Sequence, residues 1–149
     1  VEDLAVVGAL RANRLLRNLG NEGLSQLLGA GWRVMFKRDQ VISHQAQPVD
    51  AVIFIVEGRA KAEVCSPTHT ACKAVINILG PGDDVGLLSL VNDAPHSATV
   101  TAMDAIKALH IPMDTMRRYL HGHGEWYRVL AEIATERLHT NGVWLQALL

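Results

Sequence analysis

Residues 80–86 have the sequence Gly-Pro-Gly-Asp-Asp-Val-Gly, and residues 95–100 have the sequence Pro-His-Ser-Ala-Thr-Val. The first segment concentrates turn-forming residues and is followed by Leu-Leu-Ser-Leu, which is typical of a loop that leads into a short helix. Exposed backbone N–H groups at such a helix start, with the helix dipole behind them, favour an anion. Ser97 adds a hydroxyl donor for the same anion. The two segments therefore predict a phosphate cradle, and an ordinary structural turn is the alternative that the glycines leave open.

Short apolar segments separated by turn residues lie on both sides of this turn. Between Trp32 and Phe36 apolar side chains recur at every second position, and residues 51–56 form a continuous apolar run before a turn at Gly58. Further strand patterns cover residues 97–103 and 106–111. About seven or eight short strands at this spacing are typical of a β-roll or barrel.

Helical patterns flank these strands. Leucines recur at helical spacing from Leu15 to Leu28, with a break at residues 20–23. Pro112 predicts the start of a short helix over residues 115–120. A long helical pattern follows from Glu125 to Leu149. We therefore expect a mainly β fold with flanking helices.

This order of elements, together with the paired motifs at 80–86 and 94–100, resembles the CRP/FNR superfamily. The motifs are similar to that family's phosphate-binding cassette. The resemblance implies a cyclic-nucleotide-binding-like antiparallel β-roll, which is a double-stranded β-helix or jelly-roll, followed by a long C-terminal dimerisation helix. It divides the chain into a roll with N-terminal helices at residues 1–124 and a dimerisation helix at residues 125–149. A DNA-binding domain is expected beyond residue 149.

The resemblance also indicates which residues would contact a cyclic nucleotide, and two of them depart from the family pattern. Leu87 stands where cyclic-AMP-responsive members have a glutamate that accepts a hydrogen bond from the ribose, a loss of about 1.5–3 kcal/mol. His96 stands where the family has a phosphate-binding arginine, and imidazole offers no bidentate fork. We therefore expect weak binding of cyclic AMP, helped at lower pH where His96 becomes charged. The candidate cyclic-nucleotide and phosphate contacts are Gly86, Leu87, Leu88, His96, Ser97, Ala98 and Asn141.

Asn141 has two interpretations. It aligns with the family's base-reading position on the long helix, where its amide could pair with a purine edge. The alternative is a surface position in an Asn-Gly pair, because glycine inside a helix costs about 1 kcal/mol. That cost predicts a kink or an end of the helix near Gly142.

The function implied by the resemblance is that of an effector-sensing and dimerisation domain of a bacterial transcription regulator, with a cyclic nucleotide as its small-molecule effector. The leucine-rich C-terminal helix needs a partner, and a second copy in a two-fold homodimer is the expected one. DNA would be bound only by the domain beyond residue 149. Two alternatives stay open: a regulatory module of an enzyme or transporter, and a degenerate domain that only dimerises.

Composition and spacing argue against other classes of function. The net charge of −1 gives no nucleic-acid-binding surface, and no apolar segment has the roughly 20 residues of a membrane span. The N-terminus lacks a signal-peptide pattern, so a cytoplasmic protein is expected. No catalytic set is present, and the seven histidines are too dispersed to predict a metal site or a haem site. Cys65 and Cys72 are expected to be opposite each other on a hairpin, as two reduced thiols or, alternatively, as a redox-responsive disulfide.

Overall fold

The computed structural model describes residues 4–65 and 72–148, and for residues 65, 72–76 and 138–148 it describes the backbone alone. Five helices and eight strands occur in this part of the chain. The helices are α1 (Leu4–Ala12), α2 (Asn21–Ala30), α3 (Ser89–Asn92), α4 (Met113–Gly122) and α5 (Glu125–Leu148), with a short 3-10 turn at Leu16–Asn18. The strands are β1 (Trp32–Phe36), β2 (Val41–Ser43), β3 (Ala51–Glu57), β4 (Ala60–Cys65), β5 (Cys72–Leu79), β6 (Asp84–Val85), β7 (Thr99–Ala102) and β8 (Ile106–Pro112).

The strands form two antiparallel four-stranded sheets, with the orders β1-β8-β3-β6 and β2-β7-β4-β5. Strands that are distant in the chain are neighbours in each sheet, as in a roll, so the predicted antiparallel β-roll with flanking helices is confirmed. The register places Cys65 opposite Cys72. The thiols themselves, and the loop between them, lie outside what the structure describes.

Strand β3 is apolar without alternation because both of its faces are covered. Ile53 and Ile55 face the roll interior, which is lined largely by small residues of β4, β7 and β8. Val52 and Phe54 face the other way and pack in a helix-side core with leucines of α1, α2 and the 3-10 turn. Since successive side chains of a strand point to opposite faces, one continuous run serves two cores.

Helix α5 begins at Glu125, where the sequence predicts it. Trp126, Leu130 and Ile133 are buried in the helix-side core, so the first turns of α5 pack against the rest of the chain. The helix continues through residues 141–142 to Leu148, and the predicted end near Gly142 is therefore wrong. Neighbouring helix formers in the sequence offset the modest cost of one glycine.

The two short helices agree with the sequence prediction. Pro112 ends strand β8 and is also the N-cap of α4, so the short helix opens at Pro112 as predicted and extends beyond the predicted residues 115–120 at both ends. Helix α3 is a single turn of 4 residues. Within residues 4–65 and 72–148 no helix has the length and apolar character that a membrane crossing requires.

Candidate functional site

The turn at residues 80–86 depends on two glycines with left-handed backbone. Gly82 and Gly86 have φ values of 91° and 92°. A side-chain carbon on Gly86 would stand 2.8 Å from Cγ1 of Val49 and 3.0 Å from the backbone oxygen of Ala51. Both the backbone conformation and the close approach of the neighbouring strand therefore require glycine at this position.

The backbone N–H groups after Gly86 are the donors that the site offers. The amides of Ser89 and Leu90 donate back to the carbonyls of Gly86 and Leu87, at 3.2 and 3.1 Å. For the amides of Leu87 and Leu88, the structure records no acceptor among the residues it describes. Because α3 is one turn long and sums few peptide dipoles, the predicted helix-dipole contribution is small, and the two amides themselves are the candidate donors to an anion.

The side chain of Leu87 points away from the roll interior. It is fully buried and belongs to the helix-side core together with Phe54. The position therefore supplies its backbone N–H to the candidate site, while its side chain contributes to packing. A carboxylate substituted here would enter an apolar core and would not be presented to a ribose.

His96 lies beside Gly86. Its Cε1 is 3.6 Å from the point where a side-chain carbon on Gly86 would stand. Two backbone hydrogen bonds fix the residue: its N–H donates to the carbonyl of Gln47 at 3.0 Å, and the N–H of Ala46 donates to its carbonyl at 2.8 Å. The structure thus brings together two of the predicted site residues that are distant in the chain.

The imidazole of His96 is partly buried, and this burial lowers its pKa below the ordinary value of 6.5. The carboxylate of Asp50 acts in the opposite direction, and His44 lowers the pKa further. His96 is therefore mostly neutral at pH 7 in the free protein. A phosphate beside it would stabilise the charged form and raise its pKa.

The remaining predicted residues have different surroundings. Ser97 is exposed and Ala98 is buried, and both immediately precede β7. Asn141 lies in the second half of α5, and its side chain is outside what the structure describes. Its contact with a ligand stays a prediction.

Two features of this region were missed by the sequence analysis. The hydroxyl of Ser43 is buried without a hydrogen-bond partner, on strand β2 opposite Val100. The carboxylate of Asp84 is buried directly before the Gly86 turn and is bound by Asn13 and Arg137. The adjacent aspartates at 83–84 were the sequence signal for the buried carboxylate. Successive side chains of an extended segment point to opposite faces, so one of two adjacent aspartates is expected to face inward.

Two cavities, of about 340 and 510 Å³, lie along α5 and share Arg128 and Glu132 in their linings. Neither is lined by a predicted site residue. Across the described ranges, no three histidine, cysteine, aspartate or glutamate side chains gather in a way that could hold a metal ion.

Comparison with known proteins gives consistent matches. The sequence pattern of the cyclic nucleotide-binding domain family matches residues 33–123. The chain is 24% identical over 105 residues to the CRP-like cAMP-activated global transcriptional regulator of Mycobacterium tuberculosis, covering 70% of this chain and 46% of that protein. It is 29% identical over 105 residues to the cAMP-dependent protein kinase regulatory subunit of Dictyostelium discoideum, covering 70% of this chain and 32% of that protein. The chain thus spans less than half the length of either relative.

A solved structure extends this similarity to nearly the whole chain. The N-terminal domain of a transcriptional regulator from Streptomyces coelicolor A3(2) is 27% identical and superposes with a TM-score of 0.67. The superposition covers 95% of this chain and 95% of that domain.

Proposed function

This chain belongs to the cyclic nucleotide-binding domain family, and from that premise we propose that it is the effector-sensing and dimerisation domain of a CRP/FNR-type transcription regulator. We further propose that it binds a cyclic nucleotide, such as cyclic AMP, weakly and more tightly at low pH. Its role is regulatory and not enzymatic. The roll at residues 1–124 holds the effector, and the helix at 125–149 joins two copies.

The observation that carries the proposal is the juxtaposition at Gly86. The amides of Leu87 and Leu88 follow the left-handed glycine and have no recorded acceptor among the described residues, and the same glycine lies beside the imidazole of His96. Backbone amides without other acceptors and an imidazole are together suited to one cyclic phosphate. Ser97 follows His96 directly and adds a hydroxyl.

The affinity is expected to be low because the two strongest side-chain contacts of the family pattern are replaced. Leu87 packs in the helix-side core and offers nothing to a ribose hydroxyl. His96 is shorter than arginine and makes one hydrogen bond where a guanidinium makes two. Each loss is worth about 1.5–3 kcal/mol, or roughly tenfold to a hundredfold in the dissociation constant.

The pH dependence follows from the lowered pKa of His96. The cyclic phosphate keeps its single negative charge across the physiological range, so only the imidazole titrates. Binding of the phosphate raises the pKa of His96. The affinity therefore increases as the pH falls through the pKa that His96 has in the complex. It levels off below the lower pKa that His96 has in the free protein. Between pH 8 and pH 6 we therefore expect the affinity for cyclic AMP to rise.

Dimerisation is supported by the outward face of α5. Tyr127 is 47% exposed, and Ala131, one turn further along, is also exposed. Residues spaced alternately by four and three continue this face through the helix, as in a two-stranded coiled coil: Tyr127, Ala131, Ala134, Leu138, Asn141, Leu145 and Leu148. Effector-dependent repositioning of two such helices would change the spacing of DNA-binding domains attached beyond residue 149.

Calorimetric titration with cyclic AMP at pH 6 and pH 8 tests the ligand proposal. We expect saturable binding that is tighter at pH 6, and a His96→Gln variant whose weaker binding is the same at both pH values. Heat changes that do not saturate at either pH would refute it. Sedimentation equilibrium tests the dimer, with Leu145→Asp expected to give a monomer and Arg128→Gln, an exposed position off that face, expected to leave the dimer intact.

A second candidate function is favoured by the similarity to the kinase regulatory subunit of Dictyostelium discoideum. In that case the same domain would be a regulatory module of an enzyme. The sequence that follows residue 149 in the full-length protein discriminates between the two: a helix-turn-helix segment supports the transcription regulator, and a second domain of the same fold or a catalytic domain supports the module.

A further inference from the structure

A buried carboxylate lies at the start of the candidate site. The side chain of Asp84 is 3% exposed, and its strand β6 pairs with β3 through Phe54. Both carboxylate oxygens accept hydrogen bonds from Arg137 of α5, from Nη1 at 3.2 Å and from Nη2 at 3.1 Å. This two-point contact joins the strand that leads into Gly86 to the long helix.

Asn13 completes the network from a third element. Its side-chain amide donates to the Asp84 carboxylate at 3.1 Å and to the carbonyl of Gly82 at 2.9 Å. Its side-chain oxygen accepts from the amides of Leu15 and Leu16, at 3.0 and 3.3 Å. Asn13 is buried, so these bonds are shielded from water. The side-chain amide of Asn13 therefore connects the segment after α1 to Gly82 in the turn and to Asp84 at the start of β6.

Separation of Arg137 from Asp84 is costly, and the geometry of their contact is restricted. A buried carboxylate that loses its cationic partner keeps its desolvation cost, so separation is strongly unfavourable. The planar guanidinium also fixes the direction of approach, because it must present two N–H groups to two oxygens. Helix α5 can therefore leave its position at Arg137 only by uncovering Asp84 or by taking β6 with it.

From these contacts we infer that Asn13, Asp84 and Arg137 are positioning residues that mechanically couple the Gly86 turn to the long helix. Asp84 is two residues before Gly86, and Arg137 lies within the stretch of α5 that we propose forms the dimer, between Ala134 and Leu138 of its outward face. A displacement of the turn by a bound effector is thus transmitted to α5 through this network. The regulatory meaning rests on the proposed function, whereas the coupling itself is present without any ligand.

Exposed ion pairs on the same helix provide the matched control. Arg14 pairs with Glu132 and Glu136, and these carboxylates are 46% and 64% exposed. Surface pairs of this kind contribute little to stability. A Glu132→Gln variant therefore weakens a contact between the same N-terminal region and α5, together with the exposed pair of Glu132 and Arg128, without touching a buried charge.

Hydrogen exchange followed by mass spectrometry tests the coupling in both directions. In Arg137→Gln, we expect exchange to accelerate about tenfold at the amides of Ser89 and Leu90. These amides belong to α3, so a change there reports an effect outside the helix that carries the substitution. In Asp84→Asn, we expect a similar acceleration over residues 134–141 of α5. The Glu132→Gln control should change both regions less than twofold.

One further variant, Arg137→Lys, separates the effect of the charge from that of the two-point contact. Arg137→Lys keeps the charge but loses the fork, and it should give an intermediate acceleration in both regions. If Arg137→Gln accelerates α5 alone, or if Glu132→Gln has the same effect as Arg137→Gln, the coupling is refuted. Because the exchange is measured without ligand, this outcome is independent of whether cyclic AMP binds.

Discussion

Replacement of Gly86 by alanine is the perturbation whose consequence the structure defines most closely. The residue has φ = 92°, a conformation that residues with a side chain rarely adopt. An added methyl group would meet Val49 at 2.8 Å and the backbone oxygen of Ala51 at 3.0 Å. The side chain of Val49 can shift, whereas the oxygen belongs to strand β3 and cannot move without disturbing the sheet.

The expected loss of stability combines these two effects. Backbone strain at a positive φ costs about 1–3 kcal/mol, and the steric contact adds about 1 kcal/mol. We therefore expect Gly86→Ala to lower the free energy of unfolding by about 2–4 kcal/mol. With a urea slope of about 2 kcal/mol/M, the unfolding midpoint should fall by about 1–2 M.

Gly80→Ala provides the control in the same turn. Nothing lies within 4 Å of a side-chain carbon at Gly80, and its φ is not in the left-handed range. We expect this variant to unfold within about 1 kcal/mol of the parent chain. Urea unfolding followed by circular dichroism measures both variants, and equal midpoints for Gly86→Ala and Gly80→Ala would refute the steric argument.

Three further predictions concern the ligand contacts. Leu87→Glu should destabilise the fold by about 3 kcal/mol and should not strengthen cyclic AMP binding, because it places a carboxylate in the helix-side core. Thermal unfolding measures the stability and calorimetry measures the binding. Tighter binding would contradict the assigned direction of the Leu87 side chain. His96→Arg should tighten cyclic AMP binding about tenfold and abolish its difference between pH 6 and pH 8, as measured by calorimetry. Asp50→Asn should lower the pKa of His96 further, because the carboxylate raises it, and should move the imidazole titration seen by NMR to lower pH; an upward or absent shift would contradict the assignment.

The sequence predicted the scaffold well because the scaffold depends on local signals. Turn residues between short apolar segments predicted the strands, and the paired motifs around Gly86 and Ser97 identified the CRP/FNR resemblance, which is confirmed. The continuous apolar run at residues 51–56 was correctly assigned to a strand, although only the structure shows that its two faces belong to different cores. Periodicity detects a buried face, but it does not identify the elements that cover it.

The details of the site were less predictable because they depend on contacts between distant segments. Leu87 was treated as a residue facing the ligand, whereas its side chain faces the helix-side core. The partners of Asp84 come from positions 71 and 53 residues away in the chain, and no local pattern relates them. The helix also continues through Gly142, because the helical preference of its neighbours outweighs the intrinsic preference of a single residue.

The most direct test of the central claim is a titration of ¹⁵N-labelled protein with cyclic AMP at pH 6, followed through the backbone amide resonances of Leu87, Leu88 and Ser97. We expect saturable shifts at these amides with a common dissociation constant, and a larger dissociation constant at pH 8. Saturable shifts confined to other parts of the chain, or no saturable shifts at either pH, would contradict the assignment of the Gly86 turn as an anion-binding site.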